Sequence, residues 1–139
     1  MKTKILIVDD EENIRTAVKA AFAQKYEVLS AGDGPAALEI IKTEKPAFVF
    51  LDVKMPGMSG LEVLERVKGT GVVIWMLTGE EELSVAVKAL EAGAWGYLTK
   101  PFGVESIRNV VATALEGVDK KEHPGDYSDR PWQVKRTEK

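Results

Sequence analysis

The chain contains no cysteine, which excludes disulfides, thiolate catalysis and zinc-thiolate centres. It has a single histidine, His123, set in a polar segment beside Pro124. A lone solvated histidine there gives no reason to treat the chain as its own phosphodonor. No apolar run approaches the length of a membrane span. Met1-Lys2-Thr3-Lys4 passes straight into a short apolar run, leaving no room for a signal-peptide core, so a cytoplasmic location and no membrane partner are expected. Excess positive charge is also missing. The net charge is −3 and the pI about 5.3, which argues against direct nucleic-acid binding through a basic surface.

What remains is ordinary globular material, with 45% hydrophobic and 29% charged residues over 139 positions, enough for one domain with one core. Short apolar runs alternate with helix-period segments. The runs are Ile5–Val8, Tyr26–Ala31, Phe48–Leu51, Val72–Leu77 and Tyr97-Leu98. Between and after them, apolar residues recur at helical spacing: Ile14, Val18 and Phe22; Leu38 and Ile41; Leu61, Leu64 and Val67; Leu83, Val87 and Leu90; Ile107, Val110 and Ala114. Pro35 suits a helix start, Ser59 an N-cap, and Gly69, Gly93 and Gly117 helix stops. Continuous rather than alternating apolar strands suit a parallel sheet covered on both faces. Right-handed crossovers then favour an α/β fold: a doubly wound five-stranded parallel sheet, (βα)5 and flavodoxin-like, of strand order 2-1-3-4-5.

The composition changes near Gly117. Residues 117–139 carry eleven charged side chains and only two aliphatics, Val118 and Val134. The expected division is a domain over residues 1–116 and a polar tail or linker stub over 117–139. Trp75 falls inside a strand and reads as core. Trp95, in a loop before the fifth strand, reads either as an exposed contact residue or as a local plug. Tyr127 and Trp132 are the sizeable apolar groups of the tail.

Four of the runs end in groups that phosphoryl chemistry uses: Asp9-Asp10, Asp52, Thr78, and Lys100 after Thr99. In a parallel sheet all of them emerge at one edge, where open α/β sheets hold ligands. Adjacent acids suit a hard divalent cation such as Mg²⁺. Clustered carboxylates repel one another, so without a cation some have raised pKa values. A carboxylate such as Asp52 can form an acyl phosphate, and phosphoryl transfer asks mainly for positioning and charge neutralisation. Lys100 supplies positive charge and Thr78 a hydrogen-bond donor.

The segments Ile5–Glu12, Phe50–Glu62, Met76–Gly79 and Ala92–Phe102 together resemble the response-regulator receiver domains of two-component signalling, over about residues 3–116. The resemblance implies that Asp52 is the phosphoacceptor, phosphorylated from a histidine kinase or phosphotransfer protein. It implies Mg²⁺ as cofactor, bound by Asp10, by Asp9 through water, by Asp52 and by the backbone carbonyl of Lys54. Thr78 matches the switch hydroxyl, Tyr97 the switch aromatic and Lys100 the phosphate-sensing lysine; the Lys100-Pro101 bond matches a cis peptide. The chain is then a switch acting on itself, not an enzyme with an outside substrate. Its output is a downstream protein, a fused domain or a homodimer through the face of the fourth helix, fifth strand and fifth helix. Lys54 and Glu80, two residues after Asp52 and Thr78, are expected to pair across the crevice and set the lifetime of the phosphate.

Three other functions fit less well. A haloacid-dehalogenase-type phosphohydrolase needs an acid two residues after its nucleophile, where Lys54 stands. An FMN phosphate would be repelled by Asp9-Asp10-Glu11-Glu12. A degenerate receiver, used only for protein binding, has no need of a complete site.

Overall fold

The computed structural model describes residues 2–117, apart from the side chains of Glu80 and Glu116. Five strands, β1 (Lys4–Val8), β2 (Glu27–Ala31), β3 (Phe48–Asp52), β4 (Val73–Thr78) and β5 (Gly96–Thr99), alternate with five helices. These are α1 (Glu12–Phe22), α2 (Gly34–Glu44), α3 (Gly60–Val67), α4 (Leu83–Glu91) and α5 (Val104–Gly117). The strands form one sheet in the order β2-β1-β3-β4-β5, all pairs parallel. This is the doubly wound (βα)5 arrangement expected from the apolar runs. The tail beyond residue 117, with His123, Tyr127 and Trp132, lies outside the described residues.

Strand alternation divides the core into two layers. Leu6, Val8, Val49, Leu51, Ile74 and Met76 face a cluster that includes Ala37 and Ile41 of α2, Val63 and Leu64 of α3, and Ala89 of α4. Ile5, Ile7, Phe48, Phe50, Val73, Trp75 and Leu77 face the other way, onto Val18 and Phe22 of α1 and Ile107, Val110 and Val111 of α5. Every residue of β3 and β4 is buried, as a central strand pair covered on both sides must be. Each large apolar side chain buried this way stabilises the fold by about 1.5–3 kcal/mol. The second layer carries a file of rings. Phe22 lies 6.3 Å from Phe50, Phe50 lies 4.8 Å from Phe48, and Phe48 lies 6.4 Å from Trp75, between centroids.

Trp95 belongs to this layer too. It is 7% exposed, and its backbone N–H donates to the Ile74 carbonyl at 2.7 Å. The plug reading therefore holds and the exposed reading does not. The bond to Ile74 extends the parallel ladder between β4 and β5 to the residue before Gly96.

Local signals fix the helix ends. Asp33 caps α2 by accepting from the Ala36 N–H, with Pro35 in the first turn. Helix α2 stops at Lys45, whose φ of 50° is left-handed and whose N–H reaches the Ile41 carbonyl. Ser59 and Glu62 form a reciprocal capping box at α3. A single 3-10 turn at Glu80–Glu82 precedes α4.

Candidate functional site

The register of the central strands brings the acids together. Val8 pairs with Leu51, and Asp52 with Leu77, so the residues after β1, the end of β3 and the end of β4 meet at one edge. Asp9 and Asp52 are buried and Asp10 is exposed. One carboxylate oxygen from each lies within 4.8 Å of the other two. Asp10, Asp52, Lys54 and Lys100 line a crevice of about 440 Å³ with Met55, Pro56 and the loop after β4.

Lys100 closes the cluster from the position just after β5. Its ammonium lies 2.9 Å from Asp9 Oδ2 and 3.4 Å from Asp52 Oδ2. Burial alone would lower the Lys100 pKa. The bond to Asp9 and the charges of Asp52 and Asp9 outweigh it, and the net shift is upward. The Lys100-Pro101 bond is cis, as the motif implied. The Lys100 N–H donates to the Thr78 carbonyl at 2.7 Å, tying the lysine to the end of β4.

Asp52 is 3% exposed, and burial pushes its carboxyl from 3.8 up to about 7. The neighbouring Asp9 charge adds to the rise. Lys100 and the Lys54 N–H, 3.4 Å from Asp52 Oδ1, only partly oppose it. The rise is thus chiefly an effect of burial, with repulsion from the neighbouring acid second.

The remaining oxygens show what the site will accept. Asp9 Oδ1 takes the Glu11 N–H at 3.0 Å, whereas Asp9 Oδ2 is buried and, among the described residues, reached only by the lysine ammonium. An all-oxygen donor set with a buried, under-coordinated carboxylate oxygen and an exposed acid beside it fits a small hard divalent ion. Asp9, Asp10 and Asp52 would hold such an ion, with the Lys54 segment alongside.

Lys54 was expected to pair with Glu80 across the crevice. The Lys54 ammonium lies 3.6 Å from Glu82 Oε2, and the side chain of Glu80 lies outside the described residues. Lys54 is 76% exposed, so this pair adds no more than about 1 kcal/mol. Thr78 is buried at the end of β4, and its hydroxyl donates to the Gly79 carbonyl at 2.9 Å. Tyr97 is half-buried on β5 against the layer of Met76 and Ala89.

Two contributors went unnoticed in the sequence. The Arg15 guanidinium of α1 donates to the Asp9 carbonyl at 2.7 Å, bracing the turn that carries both acids. Gly60, the first residue of α3, sits so close to β3 that a Cβ there would run into the Asp52 carbonyl oxygen. Its own N–H donates to the Val53 carbonyl at 2.9 Å. The available signal was a glycine directly after the Ser59 cap, a position with no conformational need for glycine.

A parallel sheet of order 2-1-3-4-5 that turns two strand-end acids and a lysine toward a third acid defines a receiver-type signalling domain. The model of the response regulator receiver domain matches residues 5–112, and the chain belongs to that family. Sporulation initiation phosphotransferase F of Bacillus subtilis is 38% identical over 118 residues, covering 83% of this chain and 95% of that protein. Response regulator MprA of Mycobacterium tuberculosis is 39% identical over 110 residues, 77% of this chain but only 48% of that protein. Regulatory protein AtoC of Escherichia coli is 36% identical, and the chain spans 25% of its length. Among solved structures, the receiver domain of NtrX from Brucella abortus superposes with a TM-score of 0.76 at 33% identity, over 81% of this chain and 98% of that one. A response regulator receiver domain protein from Clostridium thermocellum gives 0.80 at 29% identity, over 85% and 98%. Among the described residues no helix is long and apolar enough to cross a membrane.

Proposed function

We propose that the protein is a phosphorylation-dependent switch in which Asp52 accepts a phosphoryl group from the phosphohistidine of a histidine kinase or phosphotransfer protein. A carboxylate oxygen of Asp52 attacks phosphorus, the phosphorus–nitrogen bond breaks, and the imidazole leaves with the electron pair. Hydrolysis of the acyl phosphate returns free Asp52 and inorganic phosphate. The chain turns over no outside substrate on this reading. The observation that carries it is the position of Asp52: buried, within reach of Lys100, and clustered with Asp9 and Asp10.

Mg²⁺ bound by Asp9, Asp10, Asp52 and the Lys54 carbonyl would offset the negative charge and keep Asp52 ionised. Lys100 already spans Asp9 and Asp52, so a small movement lets it pair with a phosphoryl oxygen instead. Thr78 must give up the Gly79 carbonyl to do the same. A bond to a charged acceptor contributes about 1.5–3 kcal/mol against about 0.5–1.5 for the neutral one it replaces. The net gain of about 1–2 kcal/mol shifts the two states roughly five- to thirtyfold, so a partner must complete the switch. Tyr97, on the same sheet face as Met76, is the aromatic placed to follow Thr78. Exposed Leu83 and Val87 on α4 and Val104 on α5 give the neighbouring face an apolar surface for a downstream protein or a second copy. A cytoplasmic setting suits such a relay.

The test is incubation with acetyl phosphate and Mg²⁺, followed by intact-mass and peptide mass spectrometry. One phosphoryl group on Asp52, absent without Mg²⁺ and absent in Asp52→Asn, is the expected result. An unmodified chain under these conditions would leave the reading without support and favour a binding module.

A further inference from the structure

A large depression of the described surface lies at the opposite edge of the sheet from the acids. It has a volume of about 700 Å³ and opens between the end of α2, the end of α3 and the last turn of α5. Its floor is apolar, with Leu38, Ile41, Val67 and Val72, and Leu115 of α5 closes one side. Its rim is cationic, with Lys42, Lys45 and Arg66. Among the described residues none of these three cations has an ion-pair partner. The nearby acids Glu44 and Glu65 are held by Lys4 and Lys68.

The residues that follow α5 carry the complementary pattern. Helix α5 runs down to this edge and ends at Gly117, two residues after Leu115. Residues 122–129 read Glu-His-Pro-Gly-Asp-Tyr-Ser-Asp: three acids, one tyrosine and no lysine or arginine. Four residues separate Gly117 from Glu122, five Cα-to-Cα steps with a reach of up to about 17 Å when extended. The other tail aromatic, Trp132, stands near Arg130, Lys135 and Arg136, which the cationic rim repels. Pockets of about 300–1,000 Å³ with apolar walls and a few charged groups are the size that holds an aromatic side chain and its neighbours.

We propose that residues 122–129 of the chain's own tail dock in this groove, with the Tyr127 ring on the apolar floor and the carboxylates of Glu122, Asp126 and Asp129 among Lys42, Lys45 and Arg66. The contact covers an apolar surface that would otherwise face water, and it fixes where the chain leaves the domain. It lies away from the acid cluster and does not depend on the chemistry proposed there.

The chain has no cysteine, so Ser128→Cys offers a single attachment point for a nitroxide label in the full-length protein. The expected result is selective broadening of the amide signals of Lys45, Ala47, Thr70 and Val73, with those of Asp10 and Lys54 at the far edge unchanged. Lys42→Glu with Arg66→Glu, both at exposed positions, abolishes the broadening while the rest of the spectrum stays folded. Asp126→Lys with Asp129→Lys restores it in that background. Mixing isotope-labelled chains with spin-labelled unlabelled ones produces no broadening. Uniform signal loss across the domain, loss without rescue by the charge swap, or broadening that appears in the mixed sample would each overturn the proposal; the last identifies a second copy as the occupant.

Discussion

Asp52→Asn tests the electrostatics of the acid cluster without any phosphoryl chemistry. Asparagine keeps the shape of the side chain and removes its charge. In the cation-free protein, burial and the charge of Asp9 move the Asp52 carboxyl from 3.8 up to about 7. The native state therefore holds a proton that the unfolded chain has released, across the whole interval between those values. Unfolding free energy falls as pH rises through that interval and levels off above it. About three pH units at about 1.4 kcal/mol each set an upper limit of roughly 4 kcal/mol for the destabilisation at pH 8. Water reaching the crevice relaxes the charge, so about 1–3 kcal/mol is expected. The variant should thus melt roughly 4–12 °C above the wild type at pH 8 in a chelator. Near pH 4 the advantage should largely vanish, because the wild-type carboxyl is then neutral in the native state and the pH has only just reached its ordinary value of 3.8, where the unfolded chain is about half ionised. Added Mg²⁺ should stabilise the wild type, by about 2.7 kcal/mol at a hundred times its dissociation constant, and close the gap at pH 8. Calorimetry at both pH values, with and without Mg²⁺, measures all of this. A variant no more stable at pH 8, or equally favoured at pH 4, would refute the reasoning.

Three further substitutions probe the supports of the site. Arg15→Gln removes the charged donor to the Asp9 carbonyl and should weaken Mg²⁺ binding about tenfold, measured by fluorescence titration, with little change in cation-free melting. Gly60→Ala puts a methyl group against the Asp52 carbonyl oxygen; strain should destabilise the domain by about 2–3 kcal/mol in urea unfolding and slow phosphorylation from acetyl phosphate. Ser59→Ala breaks the capping box one residue earlier and should lower stability by about 1 kcal/mol, with phosphorylation unchanged.

The sheet was legible because β1, β3 and β4 are unbroken apolar runs whose ends carry unmistakable chemistry. Strand register then does the rest: once Val8 pairs with Leu51 and Asp52 with Leu77, the acids have nowhere else to go. Features that depend on how loops fold back were not legible. For Trp95 the sequence left an exposed contact and a local plug both open, and only packing against the layer of Trp75 and Ile107 decides for the plug. Lys54 reaches Glu82, an acid brought within range by a 3-10 turn that no spacing rule foretells. Gly60 serves a contact between backbones, and Arg15 binds a carbonyl; neither leaves a trace in hydrophobic pattern or motif chemistry.

Counting along β4 decides which layer of the molecule Thr78 adjoins. Side chains on a strand alternate, so Thr78 shares its face with Met76 and Ile74, and the lateral neighbour of Met76 is Tyr97. All of them look toward α4. Trp75 and Leu77, the odd-numbered residues between, look toward α1 and α5 and are clamped in a dense aromatic file. On the switching proposed above, a displacement of the Thr78 side chain would act on the layer of Met76, Ala89 and Tyr97 and not directly on that of Trp75 and Leu77. Parity, a property as small as one residue more or less in a strand, would give such a message its direction.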